Sequence, residues 1–117
     1  MKTQVFGIPN CNTVKKARDW LDDHGLDYDF HDFKKIEIRQ QLLKDWLSKV
    51  SIDELINRKG TTWRGLSDSQ KESANTKAGA ISLMIEKPSV IKRPVTIINE
   101  NISLGFSPEI YADLFKK

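Results

Sequence analysis

Hydrophobic and polar residues change period twice along the chain, and these changes separate three regions. Short apolar runs bounded by turn residues open the chain, helical spacing fills the middle, and short runs return in the last third. The pattern predicts a β-α-β opening, a helical block and a β-β-α ending, which is an α/β fold. A length of 117 residues is typical of one domain and is enough to bury a core, so residues 1–117 are expected to form a single domain. No internal repeat, linker or low-complexity segment is apparent.

The pattern of the first region predicts a strand, a helix and a second strand. Residues 2–6 form the first strand and run into turn-forming residues 7–10. A helix should begin at Asn12 or Thr13 and end at residue 24, with Gly25 as its terminator. Apolar and polar residues alternate over 26–33, which indicates a half-buried strand. If the two strands are parallel, the helix must cross over between them in the right-handed sense.

Helices are predicted through the middle of the chain, over residues 38–87. Two capping boxes mark helix starts, Ser51 with Glu54 and Ser67 with Gln70. Residues 61–66 between these helices are expected to be a loop, and a further helix covers about 78–86. The apolar face that opens the block consists of Leu42, Leu43, Trp46, Leu47 and Val50.

The last third returns to strands. Residues 90–98 lead into one strand and 102–106 form another, so the turn at 99–101 makes them a hairpin. Ser107, Pro108 and Glu109 begin a final helix, with proline at its first position and an acid in its first turn.

Composition narrows the classes of function. A net charge of +3 without clustered Lys and Arg does not suggest a nucleic-acid partner. No apolar run reaches transmembrane length, and the first residues lack the basic-then-apolar pattern of a signal peptide, so neither a membrane span nor a signal peptide is expected. One cysteine excludes an internal disulfide, so a cytoplasmic protein is expected. Two histidines and one cysteine give no metal-ligand spacing, and no glycine-rich phosphate loop is present.

Cys11 is the main candidate for chemistry because it lies where the first strand turns into the first helix. The backbone N–H groups of Asn12, Thr13 and Val14 would face its sulfur and favour the thiolate. A buried structural cysteine is the alternative, since free cysteines are often buried. The polar turn around Cys11 favours the reactive thiol. Val14 stands where a C-x-x-C pair would have its second cysteine, so redox cycling within the chain is excluded.

Arginines supply the candidate anion site. Apart from the helical block, the predicted arrangement is the thioredoxin layout, in which the turn before the third strand lies beside the cysteine. Arg93-Pro94, an X-Pro bond with access to the cis form, occupies that turn. Arg93 would therefore bring its guanidinium to an anion at the helix start; an ordinary surface arginine is the alternative. Arg58 and Arg64 are further cations, although Arg58 would equally complement a helix C-terminus.

These residues resemble the ArsC/Spx family, thioredoxin-fold proteins with a helical insertion, and most of all its YffB-type branch. The matching segments follow one another along nearly the whole chain: residues 6–18, 31–35, 57–64, 91–95 and 105–106.

The resemblance implies a mechanism and a set of roles. In ArsC-type arsenate reductases the thiolate attacks arsenate, glutathione attacks the adduct, glutaredoxin regenerates the enzyme, and three arginines hold the oxyanion. The cysteine corresponds to Cys11, one arginine to Arg93, and another to Arg58 or Arg64. Two positions depart from the pattern: Gly7 replaces a histidine and Val14 replaces a serine that aids cysteine activation. The third arginine falls in residues 104–107, which contain none.

The departures weaken oxyanion binding, so we expect a glutathione-dependent thiol oxidoreductase. Cys11 would be the reacting group, and Arg93 with Arg58 or Arg64 would attract a glutathione carboxylate. No bound cofactor is expected; glutathione is the co-substrate and glutaredoxin a further partner. The alternatives are a true arsenate reductase and a non-catalytic, Spx-like protein that binds RNA polymerase.

Overall fold

The computed structural model describes residues 2–117, which form two compact units. The first, here called the sheet unit, ends at Ile36 and resumes over Arg93–Lys117. The second, the helical unit, is Glu37–Lys92. No helix within residues 2–117 is long and apolar enough to cross a bilayer.

The elements run β-α-β, then five helices and a 3₁₀ turn, then β-β-α. In chain order they are β1 (Thr3–Gly7), α1 (Asn12–Asp23), β2 (Tyr28–Asp32), α2 (Gln40–Leu47), α3 (Ile52–Leu55), α4 (Thr61–Arg64), α5 (Asp68–Ser73), α6 (Lys77–Glu86), a 3₁₀ turn (Pro88–Val90), β3 (Val95–Ile98), β4 (Asn101–Leu104) and α7 (Pro108–Phe115).

The sheet unit has the thioredoxin-like arrangement predicted from the sequence. Its strands lie in the order β2-β1-β3-β4. The β1–β2 pair is parallel, and both β1–β3 and β3–β4 are antiparallel. The parallel pair needs a crossover, which α1 supplies. The predicted β-α-β opening and the β-β-α ending are therefore confirmed.

Helix α1 packs its apolar stripe into the core of the sheet unit. Val14, Ala17 and Leu21 are buried, at the i, i+3 and i+7 spacing of one helix face. Ala17 and Leu21 share a core cluster with Val5 of β1 and with Tyr111. The helix ends as predicted at Gly25, whose φ of +64° is open to glycine without steric cost. The position of α1 against β1 is therefore fixed by its buried face.

The β3–β4 hairpin is tighter than its sequence suggested. The second strand was expected over residues 102–106, but β4 begins at Asn101, which pairs with Ile98. The reason is a two-residue turn in which Asn99 adopts a left-handed φ of 56°. The final helix begins as predicted, because the Ser107 hydroxyl accepts a hydrogen bond from the Ile110 N–H at 3.1 Å.

The helical unit contains both predicted capping boxes. The Ser51 hydroxyl accepts from the Glu54 N–H at 3.1 Å, and the Ser67 hydroxyl from the Gln70 N–H at 3.2 Å. In both boxes the longer side chain returns a hydrogen bond to the serine N–H. The unit is built around α6, which contacts α2, α5 and the 3₁₀ turn.

One element of the helical unit was missed. Residues 61–66 were expected to be a loop, but Thr61–Arg64 forms the short helix α4. Two backbone hydrogen bonds close its turn: the Arg64 N–H donates to the Gly60 carbonyl at 3.2 Å, and the Gly65 N–H to the Thr61 carbonyl at 3.0 Å. The prediction was wrong because this single turn has neither an apolar period nor a side-chain cap.

Candidate active site at the start of the first helix

Cys11 is the N-cap residue of α1, and its backbone is extended, with φ −80° and ψ 127°. Its N–H donates to the Ile8 carbonyl at 3.1 Å, and its own carbonyl accepts from the Lys15 N–H at 2.9 Å. The first bond closes the turn that follows β1, and the second starts the helix. The side chain is half-buried. Its sulfur is thus held at a defined position and is still accessible to a reactant.

The pKa of the Cys11 thiol lies below its ordinary value. Burial raises this pKa. The Val14 N–H, the Arg93 guanidinium and the Thr13 N–H together lower it by more than burial raises it. The sulfur forms no regular N-cap hydrogen bond, so the two amides act on it as loosely aligned donors. Since the thiolate is the nucleophilic form of cysteine, this environment favours reaction at sulfur.

Arg93 reaches the sulfur from the turn before β3. Its guanidinium donates a hydrogen bond to Cys11 and adds the attraction of its charge. The Arg93-Pro94 peptide bond is cis. The Pro94 carbonyl accepts from the Gly105 N–H at 2.9 Å, which ties the turn to the end of β4. Four of the proposed site residues, Cys11, Thr13, Val14 and Arg93, thus come together, with Pro94 directly beside them.

Asn12, the remaining residue of the first turn, is exposed, and the action of its N–H on the sulfur stays a prediction. The histidines are engaged elsewhere. The His31 ring is hydrogen-bonded to Gln4 and stacked on Phe6 at 4.5 Å between ring centres. The His24 Nδ1 lies 2.8 Å from the Trp20 carbonyl oxygen. Activation of the thiol therefore rests on N–H donors and a guanidinium.

Arg58 and Arg64 belong to the helical unit, and their facing Cys11 stays a prediction. The Arg58 guanidinium is already engaged, 2.8 Å from the Asp53 carboxylate and 5.2 Å from the centre of the Trp63 ring. The Arg64 side chain is exposed, with its Nε 3.5 Å from the Gly60 carbonyl oxygen. Of the two, Arg64 is the less committed to neighbours within its own unit.

The packing role of one residue in this region was not recognised from the sequence alone. Gly7, the last residue of β1, was interpreted as part of a turn, but it packs directly against Val14. The available signal was a glycine at the end of a strand, which often marks a close approach of two backbones. Within residues 2–117, no group of three or more His, Cys, Asp or Glu side chains is placed to hold a metal ion.

Known proteins share this fold and much of this sequence. Residues 6–114 match the model of the ArsC family. The solved structure of a YffB protein is 42% identical, covers 96% of this chain and 97% of its own, and superposes with a TM-score of 0.88. An arsenate reductase (ArsC) related protein from Brucella melitensis is also 42% identical, covering 100% and 97% with a TM-score of 0.78. The regulatory protein MgsR of Bacillus subtilis is 29% identical over 96% of this chain and 89% of its own.

Proposed function

The chain belongs to the ArsC family, and from this premise we propose that it is a glutathione-dependent thiol oxidoreductase in which Cys11 is the reacting group. The observation that carries the proposal is the thiol itself, whose pKa is lowered by two amides and Arg93 against the opposing effect of burial. A thiolate at an accessible helix start is the form that attacks disulfides.

The reaction needs two exchange steps because the chain has one cysteine. In the first, the Cys11 thiolate attacks the glutathione sulfur of a mixed disulfide; a Cys11–glutathione bond forms, the original S–S bond breaks, and the substrate leaves as a thiolate. In the second, the thiolate of free glutathione attacks this adduct, releasing oxidised glutathione and the Cys11 thiolate. Glutathione is the reductant, and glutaredoxin is a further proposed partner.

Arg93 is the proposed contact for an anionic group of the substrate. Its guanidinium presents several N–H donors, and carboxylates such as those of glutathione bind such a fork in a bidentate manner. A second cation, from Arg58 or Arg64, follows from the family resemblance. The engagement of Arg58 with Asp53 and Trp63 supports Arg64 as the better candidate.

The environment of the sulfur supports thiol exchange over arsenate reduction. Gly7 and Val14, which replace the histidine and the serine of the arsenate reductase pattern, contact one another and place no side-chain donor at that end of β1. Arsenate reduction must remove an oxygen as water and therefore needs protons, whereas a departing thiolate does not. We expect no arsenate-dependent NADPH consumption in an assay coupled through glutathione and glutaredoxin; a sustained rate would reverse this order.

Mass spectrometry after incubation with oxidised glutathione tests the proposal. The wild-type chain should gain one glutathione, lose it again when reduced glutathione is added, and gain none as Cys11→Ser. Turnover of a glutathionylated peptide then measures the complete cycle, with Arg64→Gln and Arg58→Gln compared for their Michaelis constants. A wild-type chain that forms no adduct under these conditions rules the reaction out.

A regulatory role is the second candidate, favoured by the 29% identity to the regulatory protein MgsR. In that case the chain would bind RNA polymerase and Cys11 would not turn over. A pull-down of polymerase from a lysate, with wild-type and Cys11→Ser chains compared, separates the two. Equal retention of polymerase by both chains, combined with no exchange activity, would put the regulator first.

A further inference from the structure

Gly7 is held firmly by its backbone at the end of β1. Its carbonyl accepts a hydrogen bond from the Phe33 N–H at 2.8 Å, and it is paired with Asp32 in the parallel ladder. The residue itself is buried. Because the strand is fixed on this side, Gly7 has little freedom to move away from whatever packs against it.

The space beside Gly7 is occupied by Val14. A Cβ atom added to Gly7 would lie 2.8 Å from Cγ2 of Val14 and 3.4 Å from Cγ1. The first distance is shorter than carbon atoms tolerate. Val14 is completely buried, and its β-branched side chain has one stiff torsion with which to avoid the contact. Relief would therefore have to come from the backbone of the helix start.

Val14 also supplies one of the N–H groups that act on the sulfur of Cys11. We propose that Gly7 is a positioning residue for the Cys11 thiolate. Because Gly7 has no side chain, the Val14 side chain can pack against β1, and this packing holds the N–H groups of the first turn of α1 close to the sulfur. The inference rests on the proposed function only in taking Cys11 as the reacting group.

A methyl group on Gly7 changes the geometry of the site and deletes no hydrogen-bond donor. Every N–H and the Arg93 guanidinium remain, but the first turn moves away from the sulfur that it stabilises. The thiolate is then less favoured. A purely structural role for Gly7 would change the stability of the protein and leave the titration of Cys11 where it is.

The pH dependence of Cys11 alkylation in the full chain is the test. Gly7→Ala should raise the midpoint by about one pH unit, which is about a tenfold loss of thiolate well below the midpoint. Gly7→Ala/Val14→Ala should return close to wild type, because the new Cβ would lie 3.7 Å from Cβ of residue 14, an ordinary contact. Val14→Ala alone provides the reference in which the space beside Gly7 is left unfilled.

Gly25→Ala is the matched control for lost stability. It forces alanine into a φ of +64°, with no atom within 4 Å of the added Cβ. It should lower the midpoint of thermal unfolding without moving the alkylation midpoint. If Gly7→Ala fails to fold, the double variant is compared with Val14→Ala instead. The alkylation midpoint of the double variant should then lie closer to that of wild type. An unchanged titration in Gly7→Ala, or a double variant shifted further than Val14→Ala, would overturn the proposal.

Discussion

The sheet unit and the helical unit use their polar side chains differently. The buried polar residues within residues 2–117, Thr3 and Thr96, both lie in the sheet unit, where Arg93 is also directed at Cys11. In the helical unit the characterised polar contacts are mostly exposed: the capping boxes and the Arg58–Asp53 ion pair. The sheet unit also caps a helix, through Ser107, but its buried hydroxyls and the Arg93 guanidinium act inside the protein. In the helical unit these contacts cap helices or pair charges at the surface.

This difference teaches that charge alone does not predict the role of a residue. Arg93 and Arg58 are the same residue type, each beside a potential partner. Arg93 acts on a titrating thiol, while Arg58 is engaged by an exposed carboxylate and an aromatic ring. Perturbing the sheet unit should therefore have larger effects than perturbing the helical unit.

The largest effect is expected at the buried pair of hydroxyls in the sheet unit. Thr96 and Tyr111 share a hydrogen bond of 2.6 Å, and neither is exposed. Thr96→Val leaves the Tyr111 hydroxyl without its partner and should lower the free energy of unfolding by about 2 kcal/mol. Urea denaturation measures this. The double variant Thr96→Val/Tyr111→Phe removes both hydroxyls and should recover most of the loss; a loss equal to the sum of the single variants would contradict the coupling.

The same tyrosine predicts a dependence on alkaline pH. Burial raises the pKa of Tyr111 to about 12, even though its hydrogen bond to Thr96 opposes the shift. In the unfolded chain the Tyr111 hydroxyl ionises at about pH 10. Its contribution to the free energy of unfolding is therefore fully present below pH 10 and is lost as the pH rises towards 12. The free energy of unfolding should fall by about 1.4 kcal/mol per pH unit in that range. Tyr111→Phe should lack this component, and identical slopes in the two chains would refute it.

A smaller effect is expected at a cap of the helical unit. Ser51→Ala removes the hydroxyl that accepts from the Glu54 N–H, which should lower the free energy of unfolding by about 1 kcal/mol. Ser48→Ala is the matched control, because this exposed serine donates to a carbonyl at the other end of a helix. Denaturation midpoints that fall equally in both variants would show that the capping box stabilises the protein no more than an ordinary serine hydrogen bond does.

The smallest effect is expected at Arg58. Arg58→Gln removes the ion pair with Asp53 and the contact with Trp63, both partly exposed, so the loss should be about 0.5 kcal/mol. Asp53→Asn removes the ion pair and retains the ring contact, which separates the two contributions in the same denaturation experiment. A loss as large as that of Thr96→Val would break the contrast between the units.

Much of the fold could be predicted because its signals are local. The boxes at Ser51 and Ser67 need one residue and its neighbour three positions on, and both formed. Gly25 ended α1 because its left-handed φ follows from the glycine itself. Helix α4 and the early start of β4 were not predicted, because a single helical turn and a two-residue hairpin turn contain too few residues to show a hydrophobic period.

The site was predictable in its position and less so in its contacts. Cys11 could be placed at a helix start because strand, turn and helix succeed one another in the sequence. The packing of Gly7 against Val14 was not predictable, since it depends on how closely a helix approaches a strand. The bond between Thr96 and Tyr111 joins residues 15 positions apart and likewise needs the folded chain.

The central claim is that the first turn of α1 and Arg93 together hold Cys11 as a thiolate. The rate of Cys11 alkylation as a function of pH tests it most directly, in wild type, Arg93→Gln and Arg93→Lys. The wild-type midpoint should lie below the value of about 8.5 of a free cysteine. Arg93→Gln should raise it by about one unit, and Arg93→Lys, which keeps the charge, by less. A wild-type midpoint at or above that of a free cysteine, or one that Arg93→Gln leaves unchanged, would contradict the account.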